Sequence, residues 1–171
     1  MQVKLADGSV GIVPLSIHHD RAAFACGKAM LDRYLHEQAT QDIRRGVASV
    51  FIACALERPA LILGYFTLSA ASISPSDLPK DIAKRLPRHA IPAALIGRLA
   101  VDQSVARRGL GAILIADAVA KAAQAAESVA MSAIIVDPID SQALAFYAAH
   151  GFRSLKGLQH RMFLTLPRRA V

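Results

Sequence analysis

Between residues 93 and 137 the chain reads "AALIGRLAVD", then "QSVARRGLG", then an alanine-rich run through "AILIADAVAKAA", then "MSAIIVD". The outer pieces are aliphatic, β-branched runs of strand length, and the run between them is built of helix formers with no proline. Strand, glycine loop, helix and strand make a crossover unit whose two strands must lie parallel. That unit alone commits the chain to an α/β architecture.

The preceding half has a different rhythm. "GSVGIVPLS" (8–16) reads as an early strand. "KAMLDRYLHEQATQDIRRG" (28–46) predicts one helix, with Met30, Leu31, Tyr34, Leu35, Ala39 and Ile43 on a single apolar stripe and Gly46 as its stop. "VASVFIACAL" (47–56) and "LILGYFTLSAASI" (61–73) flank "ERPA" and predict an antiparallel hairpin. Residues 74–92 hold four of the eight prolines, so this stretch is a connection with at most one short helix around 79–86. Past the crossover, "SQALAFYAAHG" (141–151) predicts a helix and "HRMFLTL" (160–166) a last strand. The expectation is an α/β chain with a mixed sheet, antiparallel strands first, flanked by helices. At 171 residues it fits a single domain, 1–171, with a core that needs no disulfide or metal.

Several classes are disfavoured. No apolar run approaches the ~18 residues of a membrane span. The opening "MQVKLADGSV" lacks the charged-then-apolar layout of a signal peptide, so a cytoplasmic protein is expected. Cys26 and Cys54 are the only cysteines and read as small core residues, and the six histidines form no ligand set, so no metal is expected. The net charge of +7 is unevenly placed: residues 1–79 hold seven basic and seven acidic side chains, residues 80–171 thirteen and six. Lys84, Arg85, Arg88 and Arg98 lie in the basic half. An anionic partner and an ordinary basic surface both fit that pattern.

The glycine loop sharpens the choice. Arg107-Arg108-Gly109-Leu110-Gly111 opens a helix, where first-turn N–H groups lack intrahelical acceptors and the helix dipole is positive. The two glycines let an anion approach those groups, and the arginines add charge at the rim. A dinucleotide fingerprint would need a third glycine and a later acidic residue, and a Walker loop would need Gly-Lys-Ser/Thr. Neither is present.

In this stretch the chain resembles the GNAT acetyltransferases, and the resemblance covers nearly all of it. "VDQSVARRGLGAILI" is similar to the family's pyrophosphate loop, Q/R-x-x-G-x-G/A, except that Ala106 stands where Gln or Arg is usual. The resemblance implies the GNAT fold with its splayed parallel pair and acetyl-CoA as cosubstrate. The diphosphate would be held at Arg107, Arg108, Gly109, Leu110, Gly111 and Ala112. The pantetheine amides would be held by the main chain of Leu99, Ala100 and Val101. "DSQALAFYAAHGF" (140–152) is similar to the family helix whose aromatic pair lies beside the thioester, which here is Phe146 and Tyr147. Tyr147 would be the catalytic tyrosine that meets the departing thiolate, although the helix pattern alone also allows a packed core tyrosine.

Within the family, "FACGKAMLDRYL" and "IPAALIGRLAVD" resemble the GNAT-type toxins of bacterial toxin-antitoxin operons. This implies acetylation of the α-amino group of aminoacyl-tRNA, a block of translation, a ribbon-helix-helix antitoxin and a homodimer. Lys84, Arg85, Arg88 and Arg98 are then candidates for tRNA phosphates. An aminoacyl ester amine is more acidic than a lysine, so a strong protein base is not required, and no Glu occurs from 58 to 126. His150 reads as a second possible base or as a cap of helix carbonyls. The alternative reading is an ordinary GNAT enzyme acting on a small amine or a protein. An RNA-binding module would want exposed interleaved aromatics, whereas the nine aromatics here mostly follow core spacing.

Overall fold

The computed structural model describes residues 2–5, 8–84 and 88–167. In chain order its elements are β1 (Gln2–Leu5), β2 (Gly8–Pro14), α1 (Ala29–Arg33), a π-helical turn (Tyr34–Gln38), α2 (Ala39–Arg44), β3 (Ser49–Ala55) and β4 (Arg58–Ile73). Then follow α3 (Lys80–Ala83), β5 (Ile91–Val101), α4 (Leu110–Ala125), β6 (Ala133–Val136), α5 (Ser141–Ala149), β7 (Arg153–Leu155) and β8 (Leu158–Thr165). Hydrogen bonds order an eight-stranded sheet as β1-β2-β3-β4-β5-β6-β8-β7. β5 and β6 are parallel, while β1–β2, β2–β3, β3–β4, β6–β8 and β7–β8 are antiparallel. The mixed sheet is the one the sequence predicts, with β1 and β7 added as short strands at its two ends.

Contacts gather the residues into two compact units, one holding the chain up to Ser69 with Arg98–Ala118, the other Ala70–Gly97 with the residues from Val119 on. The core of the first is aromatic. Tyr65, fully buried, meets Phe24 edge-on at 5.5 Å and stacks on Tyr34 at 6.2 Å, and its hydroxyl donates to Leu31 O at 2.8 Å. Ile52, Ile62, Leu35 and Ala100 pack into this cluster among others.

The predicted helix 28–46 is interrupted. At the π-helical turn the Ala39 N–H reaches back to Tyr34 O, one residue further than in an α-helix. Arg21 Nη1 reaches into this turn, donating to the carbonyls Leu35 O at 3.5 Å and His36 O at 3.2 Å and to the hydroxyl Thr40 Oγ1 at 2.9 Å. The extra residue rotates the face: Leu31, Tyr34, Leu35 and Ala39 are buried as predicted, but Ile43 beyond the turn is 38% exposed. Met30, also placed on the stripe, faces solvent at 64%.

β4 approaches α4 closely at Gly64. A Cβ there would lie 3.0 Å from Ala100 O and 3.0 Å from Leu114 Cδ1, tighter than ordinary contact, and Ala100 O is backbone that cannot swing aside. Gly64→Ala is therefore expected to destabilise by ~1–3 kcal/mol, the usual cost of overpacking. An unchanged urea midpoint would contradict this contact.

The second unit packs Ile73, Leu78, Ile91, Ala93, Ile135, Leu155 and Phe163 together. Its parallel ladder pairs Ala93–Ile96 with Ala133–Val136 and no more. β5 itself continues to Val101. Where β6 ends, Arg161 grips Asp137 with a two-toothed ion pair, Nε–Oδ1 and Nη2–Oδ2 both at 2.7 Å, fastening the turn toward α5.

Candidate active site

The loop between β5 and α4 belongs to the first unit and is built around Asp102. Its Oδ1 accepts from Ser104 N at 2.9 Å and Ser104 Oγ at 2.6 Å, and its Oδ2 from Ala25 N at 2.9 Å. Burial opposes the charge, but the donors from Ala25 and Ser104 outweigh it and hold the carboxyl below its ordinary value. Backbone bonds from Asp102 N to Leu63 O and from Gln103 N to Ala25 O, both 2.9 Å, add to the clamp. A carboxylate occupied by three donors is an organiser of the loop rather than a base.

Downstream, Arg107 (φ +62°) and Gly109 (φ +85°) both take the left-handed conformation. For arginine this is a strained choice, and strain of this kind concentrates at functional loops. The first bond of the helix start runs from Ile113 N to Gly109 O at 3.3 Å. Helix geometry leaves the N–H groups of Leu110, Gly111 and Ala112 without intrahelical acceptors. Leu110 is buried and anchors the turn, while Arg107, Arg108 and Gly109 are exposed around it. The arrangement is a cationic rim around outward amides, suited to a diphosphate. On β5, Ala100 is buried in the aromatic core, and Leu99 and Val101 are half-buried.

The second unit carries Tyr147 on α5. Asp140 caps that helix, accepting from Ala143 N at 2.8 Å. Tyr147 is buried, with Phe146 at 5.5 Å and Phe152 at 5.4 Å, both edge-on. Burial pushes its phenol well above the ordinary tyrosine value, so it keeps its proton throughout the physiological range. His150 Nδ1 donates to Phe146 O at 2.7 Å, and its ring lies 4.6 Å from that of Phe146. It therefore closes the end of α5, the capping role that its place in the sequence allows.

A description of the acetyltransferase (GNAT) family matches residues 64–152, which include the loop, α4 and α5. A "tRNA-acetylating toxin" of Mycobacterium tuberculosis is 33% identical over 153 residues, spanning 89% of this chain and 90% of that protein. The chain belongs to the GNAT acetyltransferase family. The "Probable toxin TacT" of Sinorhizobium fredii is 28% identical to this acetyltransferase, over 86% of each chain. Among solved structures, a tyrosine-to-phenylalanine mutant of KacT superimposes with TM-score 0.87 at 25% identity, over 92% of this chain and 95% of that one. AtaT complexed with acetyl-methionyl-tRNAfMet superimposes with TM-score 0.86 at 28% identity, over 91% and 94%. AtaTR bound with AcCoA gives 0.80 at 28%, over 92% and 94%.

The basic residues of the acetyltransferase are placed unequally. Lys84 and Arg88 are exposed in the connection from α3 to β5, and Arg85 lies outside the described residues. Arg98 is different: half-buried, its guanidinium lies 3.7 Å over the ring centre of Tyr34, and its backbone N–H goes to Thr67 Oγ1 at 3.0 Å. Sequence reasoning missed the organising part of Asp102, although an Asp followed two residues later by Ser is a local turn signature. It also missed Asp32, whose Oδ1 accepts from Cys26 N at 2.8 Å and ties the "FACGK" loop to α1. Neither partner could be read from spacing alone. Among the described residues no group of three or more His, Cys, Asp or Glu could hold a metal ion, and no helix is long and apolar enough to cross a membrane.

Proposed function

We propose that this acetyltransferase moves the acetyl group of acetyl-CoA to the α-amino group of aminoacyl-tRNA in the cytoplasm, blocking translation until a ribbon-helix-helix antitoxin neutralises it. Residues 1–171 act as one catalytic domain and assemble as a homodimer. The observation that carries the cosubstrate is the start of α4. Outward amides at Leu110, Gly111 and Ala112, with Arg107 and Arg108 beside them, suit a diphosphate. The main chain of Leu99, Ala100 and Val101, past the end of the β5–β6 ladder, suits pantetheine amides. The acceptor is carried by the near full-length likeness to a protein named for acetylating tRNA.

The chemistry follows from acid strengths. The neutral aminoacyl amine attacks the thioester carbonyl, and the tetrahedral intermediate expels CoA sulfur as the new amide forms. The amine must lose a proton and the thiolate gains one, so the overall transfer balances without a dedicated base. An α-amino group titrates near ~8, which leaves a useful neutral fraction at physiological pH. Tyr147, held above a thiol's reference value of ~8.5, is too weak an acid to give up its proton outright. Its part is a hydrogen bond to the departing sulfur, with the amine proton passing on to that sulfur as the bond breaks.

The decisive experiment incubates the enzyme with isotopically labelled acetyl-CoA and bulk aminoacylated tRNA, followed by nuclease digestion and mass spectrometry. Label is expected on the α-nitrogen of aminoacyl-adenosine. Label confined to free amines or protein lysines would instead establish an ordinary GNAT enzyme.

A further inference from the structure

Arg98 stands apart from the other arginines because its plane is fixed in advance. Its guanidinium lies 3.7 Å over the Tyr34 ring, and Tyr34 is itself immobilised, 1% exposed and stacked on Tyr65. Tyr34 opens the π-helical turn, the irregularity that Arg21 holds by donating to His36 O and Thr40 Oγ1. The Tyr34 hydroxyl is buried, with the Asp42 carboxylate near it but no hydrogen bond of ordinary geometry to it, so what Arg98 meets is the ring. Burial first, then the neighbouring Asp42 carboxylate, pushes this phenol up to about 12 against the opposing Arg98 charge, so it stays neutral beneath the guanidinium. The backbone of Arg98 is fixed too, its N–H held by the buried hydroxyl of Thr67.

A guanidinium stacked on a ring offers its donors edgewise, in its own plane. Among the described residues the Arg98 guanidinium makes no hydrogen bond and no ion pair, and it rests on the Tyr34 ring. By strand alternation Arg98 shares a β5 face with Ala100, the face of the aromatic core, while Leu99 and Val101 point the other way. A half-buried, oriented fork with unoccupied donors is built for a two-oxygen anion. On the reading of the previous section the acceptor end of the substrate is an ester and so has no α-carboxylate. Apart from the side-chain carboxylate of an aspartyl or glutamyl ester, its two-oxygen anions are phosphodiesters.

We propose that Arg98 binds a phosphodiester near the aminoacylated end of the tRNA, and that Tyr34 is the positioning residue that presents its fork. This rests on the aminoacyl-tRNA reading. It differs from a general basic surface because geometry as well as charge must matter.

The test compares two acceptors that carry the same amino acids, charged bulk tRNA and phosphate-free aminoacyl-adenosine, with acetyl-CoA calorimetry confirming that each variant is folded. For Arg98→Gln, KM for tRNA is expected to rise about 10- to 100-fold, with kcat within about twofold and the adenosine ester unaffected. The slope of log KM for tRNA against log salt should fall by about one. Arg98→Lys should restore the salt slope but not the KM, because the charge returns without the fork. Tyr34→Phe should match the wild type, and Tyr34→Leu should raise KM for tRNA about 3- to 10-fold with the salt slope kept. The assignment is overturned if Arg98→Gln leaves tRNA KM and slope unchanged, raises both acceptors' KM equally, or if Arg98→Lys is fully active. If the wild type acetylates neither acceptor, the aminoacyl-tRNA reading itself fails and takes the assignment with it. A loss confined to the variants and to the phosphate-bearing acceptor separates the two cases.

Discussion

Tyr147→Phe is expected to lower kcat by about 10²- to 10³-fold while leaving acetyl-CoA affinity and thermal stability nearly unchanged. The substitution removes one oxygen. The ring remains to fill the space beside Phe146 and Phe152, so the packing at the end of α5 has no reason to move. On the proposed function, what is lost is a neutral donor to the departing sulfur as negative charge builds on it. Burial keeps this donor protonated across the working range, so the wild-type rate should show no downward limb assignable to Tyr147 between pH 6 and about 9, and any limb there belongs to the amine of the acceptor. In cells, inducible expression of the wild type should arrest growth and expression of Tyr147→Phe should not. Equal single-turnover rates for the two proteins would remove Tyr147 from the chemistry and leave it as a packed core residue.

The parts of this molecule that could be read from sequence are those whose physics is local. The α4 start was legible because a glycine pair after a strand and before an alanine-rich helix has few other conformations, and Gly109 does lie left-handed. The β3–β4 hairpin was legible because two strands joined by a short connection pair antiparallel, and the crossover because a helix between two strands returns the chain to pair parallel. The helix across 28–46 was legible as a helix but not as an interrupted one. Its π-helical turn depends on donors from Arg21, more than a dozen residues upstream, and no periodicity within the helix reports that. Ile43 was misplaced for the same reason. Arg98 shows the limit most clearly. Counted as charge it joins Lys84 and Arg88, yet those two are solvent-exposed while Arg98 lies on the ring of Tyr34, 64 positions away in sequence. Composition records a cation, and only the fold says what one face of it is resting on.

The other large effect is expected at Asp102. Asp102→Asn keeps the shape of the side chain, but one of the two positions that accepts N–H groups becomes a donor. Either the Ala25 N–H or the Ser104 pair then faces an NH2 group in a partly buried place. Losing charge-assisted bonds and leaving a donor unmet should cost about 2–4 kcal/mol, which for a chain of this size lowers Tm by about 5–12 °C. The loop runs directly into Arg107 and Gly109, so acetyl-CoA affinity measured by calorimetry should fall at least about tenfold even at temperatures where the variant is folded. The pH dependence fixes the cause. Because the folded state holds this carboxyl below its ordinary value, the unfolded chain takes up its proton first as pH falls. The stability that Asp102 contributes is thus complete above the unfolded value of ~3.9 and is lost as pH drops through the lower folded value. The difference in urea midpoint between wild type and Asp102→Asn should be constant from pH 7 to about 5 and shrink toward pH 3. A gap that persists undiminished at pH 3 would mean that the pattern of donors and acceptors at this side chain, and not the carboxylate's charge, organises the loop on which the diphosphate is proposed to rest.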